Sequence, residues 1–400
     1  MKIFVKVFLT FFLYILISYF FAAITTIPTE GDSLNYHIPI AKTILAGQFL
    51  YPSNVLYYYP SVGESILSLF MLLNIPLNLF NILGVVLLFF AIYSLGLSYG
   101  LKKESAIICA VSICTLHLTV RWLLTQKIDI WLAVFFTYSL ALMQKPKKEV
   151  IYFLKLGAAL GLLMGTKFTA PFIVFVLLVF FGKNLLRCLN WRRFFSFFVP
   201  FSIVGFFWYI RNFIASGNPV YPQPLLFFKG TQALHYWNIF TSGHVWEAIV
   251  CNPIQMINAF FGDYVIWSIF ITAIVLVFAL SPKNIRSRLF DSRLKILMLV
   301  GLANAFFYLF LPANEEYHMM VSSLRYSYPA FIPFIISIFV IAQKYEKQEL
   351  LFLLAFVSII TLPSLTYHPK LLLFLLPLMF VVFNFKSIYR YVENVKLFKE

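Results

Sequence analysis

Charged side chains are rare in this chain, and some of them stand where a charge is costly. Asp and Glu together number 15 among 400 residues. Asp32 comes soon after a long apolar segment, and Asp129 directly precedes another. A carboxylate at a membrane surface is usually functional, because leaving bulk water is unfavourable for it. The chemistry that it suggests is general-base catalysis, in which a carboxylate takes a proton from an acceptor hydroxyl or amine.

Three basic side chains lie in similarly apolar surroundings. Lys167 stands in the run LMGTKFTA, Arg211 stands in FWYIRN, and Arg325 begins a later apolar segment. Cations at a membrane interface can hold the phosphate of a lipid-linked donor through charge-assisted hydrogen bonds. They also stabilise the charge that develops on a departing phosphate. Acids and cations together therefore predict group transfer from a lipid phosphate.

Imidazole and aromatic side chains complete the predicted site. His37 follows Asp32 by five residues, and a structural hydrogen bond is an open alternative for it. Tyr58 lies in the run YYYP, and Tyr326 lies late in the chain. The sequence predicts that Asp32 is the base, that Asp129 is a supporting acid, and that substrate is bound by His37, Tyr58, Lys167, Arg211, Arg325 and Tyr326.

The composition indicates a membrane protein. Hydrophobic residues make up 62% of the chain and charged residues 12%, which is more apolar surface than a soluble domain can bury. Several apolar stretches approach about 18 residues, the length that spans a bilayer as a helix. The net charge of +16 does not indicate nucleic-acid binding, because Lys and Arg lie in short runs between apolar segments. The four cysteines show neither disulfide nor zinc spacing.

The apolar segments predict an all-α transmembrane bundle of about twelve spans, in one domain over residues 1–400. The spans are predicted at 3–24, 79–99, 104–119, 129–144, 150–167, 169–183, 194–213, 264–280, 294–311, 325–342, 350–362 and 371–385. The shorter segment 61–74 is expected to be an interfacial helix on the outer face. Most Lys and Arg then fall inside the cell, as the positive-inside rule requires. Both termini are expected in the cytoplasm of a bacterial or archaeal cell, with outer loops at 25–78 and 214–263 and an inner tail at 386–400.

This topology brings the scattered charges to one face of the membrane. Asp32 follows the first span, Asp129 begins the fourth, and Lys167 ends the fifth. Arg211 ends the seventh span, and Arg325 begins the tenth. All five charges are then expected at the outer surface, although five different spans carry them. A lipid-linked sugar could meet an acid and cations there, with its tail in apolar surroundings and without any nucleotide-binding domain.

Several motifs resemble those of a known enzyme group. They are GDSLNYHIP at 31–39, YYYP at 57–60, KID at 127–129, GTKFT at 165–169, and RN at 211–212 with GNPVYP at 217–222. The chain resembles the GT-C glycosyltransferase superfamily, and within it the branch of protein O-mannosyltransferases and lipid A aminoarabinose transferases. The resemblance covers about residues 1–225 and is weaker beyond, where Arg325 and Tyr326 carry it.

The resemblance implies an enzyme that transfers a sugar, with inversion, from a polyprenyl-phosphate-linked donor. Its acceptor would be a lipid, a glycan or a protein at the outer membrane face. The family's acid in the first outer loop corresponds to Asp32, and its second acid corresponds to Asp129. The family often has Asp-Glu in that loop, whereas Ser33 follows Asp32 here. This difference leaves the need for a divalent metal ion open.

Structural roles remain open for the same residues. Asp32 could cap a helix over 33–46, since Asp is a favoured N-cap. Asp129 could cap the helix that it begins, or pair with Lys127 or Arg121. Lys167 and Arg211 could extend towards the interface as snorkelling residues.

Two other functions fit a polytopic membrane protein. A transporter or flippase of a lipid-linked or anionic solute would carry charges near the middle of the membrane and usually internal repeats. An O-antigen polymerase or ligase would have a large outer loop late in the chain. Here the charges concentrate at one face, no repeat is visible, and the candidate acid lies in the first loop. These features favour the glycosyltransferase.

Overall fold

In the computed structural model of the chain, residues 2–50, 52–224, 227–231, 243–313 and 317–360 are described. Helices dominate these residues, and no β-strand forms among them, which confirms the all-α prediction. The predicted twelfth span at 371–385 and the predicted tail at 386–400 lie outside the described residues.

The described residues form nineteen α-helices. The helices are α1 (Lys2–Thr25), α2 (Ile38–Leu45), α3 (Val62–Leu72), α4 (Phe80–Ser98), α5 (Lys103–Cys114), α6 (His117–Val120), α7 (Asp129–Gln144), α8 (Val150–Met164), α9 (Ala170–Leu186), α10 (Trp191–Phe201), α11 (Phe207–Ser216), α12 (Val245–Cys251), α13 (Pro253–Tyr264), α14 (Trp267–Leu280), α15 (Lys283–Leu289), α16 (Ser292–Leu309), α17 (Tyr317–Ser323), α18 (Tyr328–Lys344) and α19 (Gln348–Ile360). Among the closest packed pairs are α4 with α7, α8 with α10, and α16 with α18.

Five helical segments in the described part of the chain are long and apolar enough to cross a membrane. They are Ile3–Thr25, Leu77–Ser98, Trp191–Ser216, Ser292–Leu309 and Met319–Lys344. Each overlaps a predicted span. Helices α13 and α14 make a sixth if they count as one segment, although a bend of 110° separates them.

The other predicted spans within the described residues form shorter helices. Helices α7, α8 and α9 have 16, 15 and 17 residues, or about 23–26 Å at 1.5 Å per residue. This is less than the hydrocarbon core of a bilayer, about 30 Å. The predicted span 104–119 ends as a helix at Cys114, after 12 residues. The described residues therefore hold five or six full-length segments rather than a complete set of twelve.

Glycines bring α8 and α10 into close contact. A Cβ atom on Gly161 would lie 3.0 Å from the Cα atom of Phe201 and 3.1 Å from the carbonyl oxygen of Pro200. Gly157, one turn earlier on the same face, meets the backbone of Phe197 in the same way. Small residues at a spacing of four let two helix backbones approach in an apolar medium. This contact fixes the position of α8, whose C-terminal end leads into the site described below.

Helix α3 corresponds to the predicted interfacial segment 61–74. It is 11 residues long and packs on α2. One face is buried, including Leu67 and Phe70, whereas Leu69 and Leu72 on the other face are exposed. The buried face also carries Glu64, a carboxylate with no exposed surface.

Candidate functional site

A cavity of about 230 Å³ lies where the connections before α2, α7, α9 and α18 meet. Its charged or imidazole-bearing lining residues are Asp32, His37, Asp129, Lys167 and Arg325. Much of the remaining lining is aromatic or apolar: Tyr36, Leu56, Tyr59, Pro60, Ile128, Phe168, Leu311, Pro312 and Tyr326. A small set of polar groups in an apolar pocket is the usual form of a ligand site.

The charges at this cavity form one continuous chain of ion pairs, which we call the charge ladder. Acids and bases alternate along it, in the order Glu30, Lys127, Asp32, Arg325, Asp129 and Lys167. The successive N–O distances are 3.0, 3.0, 3.4, 3.3 and 2.5 Å. Each charge therefore has an opposite neighbour, which is how charges are kept in surroundings of low polarity.

Asp32 is the most exposed carboxylate of the charge ladder. About 40% of its side chain is exposed, against 24% for Glu30 and 5% for Asp129. Its Oδ2 atom accepts from Lys127 and Arg325, whereas its Oδ1 atom has no hydrogen-bond partner among the described residues. One carboxylate oxygen is thus held by cations, and the other is free to accept a proton.

The charge state of Asp32 follows from this placement. Partial burial raises the pKa of the carboxyl group, but the positive charges of Lys127 and Arg325 outweigh burial and hold the pKa below its usual value. The group is therefore ionised at neutral pH, as a general base must be.

Glu30, and not Asp32, caps the helical segment that follows. The carboxylate of Glu30 accepts hydrogen bonds from the backbone N–H groups of Asp32 and Ser33, at 3.1 and 2.8 Å, and from the hydroxyl of Ser33. Asp32 has helical backbone angles and makes no cap hydrogen bond. The alternative in which Asp32 serves as N-cap is therefore wrong, and its side chain remains available to the cavity.

A wide turn follows Asp32. Residues Ser33–His37 form a π-helical segment, in which the N–H of Ile38 donates to the carbonyl of Ser33. Pro39 has no N–H, so the carbonyl four residues before it lacks the usual helical donor. Single π turns occur often at functional sites. Here the turn lies between two cavity residues, Asp32 and His37.

The connection before α7 positions Lys127, and Asn81 of α4 anchors it. The side-chain N–H₂ of Asn81 lies 3.1, 2.9 and 2.9 Å from the carbonyl oxygens of Trp122, Thr125 and Lys127. Asn81 is fully buried, and buried carbonyls that lose their donor are costly. This one side chain thus holds three backbone carbonyls of the connection in place.

Gln126 ties the same connection to the first loop. Its backbone N–H donates to the hydroxyl of Ser33 at 3.0 Å, and its side-chain amide donates to Asn78 at 3.0 Å. Asn78 in turn donates to the carbonyl of Thr26, just after α1. The segments that carry Asp32 and Lys127 are therefore locked to one another.

Asp129 is the first residue of α7, where the helix dipole favours a negative charge. Its carboxylate pairs with Lys167, which follows α8, and with the Nε atom of Arg325 at 3.3 Å. Arg325 lies in the turn between α17 and α18 and also donates to Ser322 and to Tyr326. The pairing joins three distant segments. The alternative partners Lys127 and Arg121 do not pair with Asp129, because Lys127 pairs with Glu30 and Asp32 and Arg121 pairs with Asp263.

His37 lines the cavity and pairs with Glu64 of α3, which does not line it. The His37 Nδ1 atom lies 2.7 Å from Glu64 Oε1. Glu64 is fully buried, and its second oxygen has no partner. Tyr36 packs edge-on against the imidazole, with ring centroids 4.5 Å apart.

Aromatic rings form one wall of the cavity. Tyr59 contacts Tyr36 and Phe168, with ring centroids 5.9 and 5.4 Å apart. The Lys167 ammonium lies 3.9 Å from the ring centre of Tyr326, a favourable cation–π geometry. Burial raises the pKa of Tyr59, so its hydroxyl stays protonated.

Six of the eight predicted site residues line this cavity, and two do not. The six are Asp32, His37, Asp129, Lys167, Arg325 and Tyr326. Arg211 is 5% exposed and donates to Asn212 and to the carbonyl of Phe49. Tyr58 packs on Tyr221, and its carbonyl accepts from Asn212. The structure thus places Arg211 and Tyr58 together, outside the cavity lining.

Sequence reasoning missed Glu30 and Glu64, and it gave Lys127 no role of its own. Lys127 stands in the motif KID, two positions before Asp129. A charged residue is rare in such apolar surroundings, so Lys127 could have been singled out from the sequence. Glu64 lies within an apolar segment, and the same argument from rarity applies to it.

The carboxylates of the charge ladder do not resemble a set of metal ligands. No group of three or more His, Cys, Asp or Glu side chains in the described ranges could hold a metal ion. Asp32 and Asp129 each face two cations already, and these would repel a divalent ion. The arrangement suits an organic substrate with polar and apolar parts.

Comparison of the chain with family profiles, with curated proteins and with solved structures yields no match. Functional assignment therefore depends on the geometry of the site.

Proposed function

We propose that this chain is a membrane glycosyltransferase. It transfers a sugar from a polyprenyl-phosphate-linked donor to a lipid, glycan or protein acceptor at the outer membrane face, with inversion at the anomeric carbon. The observation that carries the proposal is Asp32, which lines the cavity and whose Oδ2 atom is held by Lys127 and Arg325, while Oδ1 has no hydrogen-bond partner among the described residues. A fixed, ionised carboxylate with one free oxygen is what a general base requires.

The reaction is a direct displacement. Asp32 takes the proton of the acceptor hydroxyl or amine, the acceptor attacks the anomeric carbon, and the bond from that carbon to the phosphate oxygen breaks. The buried acid Asp129 has no role as a base, because both of its oxygens face cations. It orients Lys167 and Arg325 instead.

Lys167 and Arg325 are the cations that support phosphate binding. Both line the cavity, and about 20% of the Lys167 side chain is exposed. A bound phosphate competes with Asp129 for them, and the attraction strengthens as negative charge grows on the departing oxygen. The planar fork of Arg325 suits two phosphate oxygens at once.

The proposal includes the architecture that the motifs suggest. The fold is of GT-C type, with about twelve spans, both termini in the cytoplasm and the cavity at the outer surface. Apolar helices beside the cavity accommodate the polyprenyl tail, and the aromatic wall of Tyr36, Tyr59 and Phe168 faces the sugar. Ligand pockets are lined mainly by apolar and aromatic side chains, with a few polar groups that orient the ligand.

The test is Asp32→Asn in the purified protein. The amide keeps the size of the side chain but cannot take a proton, so the transfer rate should fall by about 10²–10⁴-fold. Binding of a polyprenyl-phosphate analogue should persist. Single-turnover rates with a lipid-phosphate sugar measure the first effect, and equilibrium binding measures the second.

A matched control is Asp291→Asn. Asp291 caps α16 by accepting from the N–H of Leu294 at 2.8 Å, and Asn is an equally good cap. This variant should transfer sugar at the normal rate. Normal turnover by Asp32→Asn would reject the base, and failure of the unmodified protein to bind or use any lipid-phosphate sugar would favour a transporter.

A further inference from the structure

The pair His37–Glu64 is separate from the charge ladder, and the base mechanism does not use it. His37 is 6% exposed and lines the same cavity as Asp32. Its Nδ1 atom lies 2.7 Å from Glu64, and its Nε2 atom has no partner among the described residues. One ring nitrogen is therefore fixed, and the other is left for a ligand.

The burial of Glu64 indicates the charge of the pair. Its carboxyl group has no exposed surface, and one of its oxygens has no hydrogen-bond partner. An isolated carboxylate in such a place is strongly disfavoured unless an opposite charge neutralises it. Within the described ranges, His37 is the one side chain that pairs with Glu64. The buried acid and the Nδ1 atom of His37 are therefore partners in one pair.

We propose that His37 is the general acid of the glycosyl transfer and that Glu64 is its positioning residue. This inference rests on the proposed function, because the group that receives the proton is the phosphate of the lipid donor. His37 Nε2–H donates to the phosphate oxygen as the bond from that oxygen to the anomeric carbon breaks. Glu64 holds the ring by Nδ1 and keeps it protonated before the reaction.

The protons in this reaction balance without any acid from outside the site. The acceptor loses its proton to Asp32 Oδ1, and the electron pair of the broken bond goes to the phosphate oxygen. His37 protonates that oxygen, so the lipid phosphate leaves with the same single negative charge that the donor had. Asp32 is then protonated and His37 is neutral. Transfer of the proton from Asp32 to His37, across the shared cavity, restores both groups.

The charged and titratable groups around His37 favour this return. Glu64 lies behind the ring on α3, Tyr36 packs against it, and Asp32 lies one turn earlier and interacts with it electrostatically. After donation, Glu64 is a buried carboxylate without a counter-ion. A protonated Asp32 whose neighbours are Lys127 and Arg325 releases its proton readily, since those cations favour the ionised form.

The first test is the pH dependence of the single-turnover rate. In the unmodified protein the rate should fall at high pH as His37 loses its proton. Glu64→Gln keeps a hydrogen-bond acceptor for Nδ1 but removes the negative charge, so this fall should move to lower pH. In His37→Gln the rate should no longer decrease at high pH, and the variant should react about 10²–10⁴-fold more slowly. A purely structural role would change the rate without moving the pH profile.

The second test varies the leaving group. A donor in which a lipid pyrophosphate carries the sugar needs less help from an acid, so His37→Gln should impair it less than the monophosphate donor. A matched control is the pair His244–Glu247, whose Nδ1–Oε1 distance is 3.3 Å and whose acid is 37% exposed. Neither residue lines the cavity, so Glu247→Gln should leave rate and pH profile unchanged.

The third measurement does not depend on activity. Nitrogen NMR of histidine-labelled protein, with His37→Gln to assign the signal, should show His37 doubly protonated at neutral pH and neutral in Glu64→Gln. A neutral His37 in the unmodified protein would overturn the inference. Loss of transfer in Asp32→Asn together with a normal rate and profile in His37→Gln would also overturn it, while the glycosyltransferase function would stand.

Discussion

Lys127 controls how Asp32 responds to acid. The ammonium group lies 3.0 Å from both Asp32 and Glu30, and its charge helps to hold the pKa of each carboxyl group below the usual value. A group with a lowered pKa keeps its charge as pH falls through its ordinary value, so Asp32 stays ionised in mild acid, as the proposed base must. The cations of the charge ladder thus make the Asp32 carboxylate a weaker base, but they keep it ionised over a wider range of pH.

Replacing Lys127 should reverse this effect. In Lys127→Gln the pKa of Asp32 should rise, because burial then opposes ionisation with one cation fewer. The acid limb of the transfer rate should move to higher pH, while the rate at high pH changes less. A pH profile from single-turnover rates measures the shift. Lys347→Gln, at an exposed lysine far along the chain, is the control, and an unmoved acid limb in Lys127→Gln would contradict the assignment of Asp32.

The sequence predicted the members of the site better than their pairing. Asp32, Asp129 and Arg325 were found because charges are scarce in an apolar chain, and the structure brings them together. The sequence did not reveal that Arg211 lies outside the cavity. A topology prediction gives the depth of a residue in the membrane but not its position within the membrane plane. Glu64 pairs with a residue 27 positions away, and no local pattern encodes such a contact.

Helix α8 leads at its C-terminal end to Lys167, one of the site's cations, and has a glycine contact in its middle. Lys167 follows the C-terminal end of α8 by three residues, and Gly165 in between accepts a backbone hydrogen bond from Val62 of α3 at 2.9 Å. The distance between α8 and α10 therefore affects where the cation lies.

A large side chain in the glycine contact should disturb both stability and binding. Gly161→Leu must push Phe201 away, because a Cβ atom there already meets backbone atoms at 3.0–3.1 Å. We expect a loss of about 1–3 kcal/mol of stability and weaker binding of a lipid-phosphate analogue. Gly182→Leu on α9 is the control, since a Cβ atom there meets nothing within 4 Å. Equal melting temperatures for the two variants would contradict the close contact.

Hydropathy located the helices well but not their ends. The predicted span 104–119 is largely apolar, yet α5 ends at Cys114 and α6 begins at His117. Nearly all of α5 is buried, so its neighbours determine where it stops. Hydropathy also does not reveal the 110° bend between α13 and α14, where Val265 adopts a positive φ of 51°.

The orientation of the whole molecule can be tested by cysteine labelling. Ser53 lies in the predicted outer loop 25–78 and Ser287 in a predicted inner segment, and both are exposed. In a background without native cysteines, an impermeant thiol reagent should label Ser53→Cys on intact cells. It should label Ser287→Cys only after the membrane is opened. Labelling of Ser287→Cys on sealed cells would contradict the predicted orientation and, with it, an outward-facing cavity.

The alternation of the charge ladder also bears on how a donor arrives. Three acids and three bases cancel, so the site projects little field beyond the screening distance of the surrounding salt. The lipid-phosphate donor of the proposed function would then not be drawn in through water, and it would meet the cavity by diffusing within the membrane plane. The encounter is two-dimensional: its frequency follows the surface density of the donor in one leaflet and is nearly indifferent to ionic strength. For the proposed glycosyltransferase, supply of the lipid to that leaflet, rather than electrostatic capture, would set how often the site is filled.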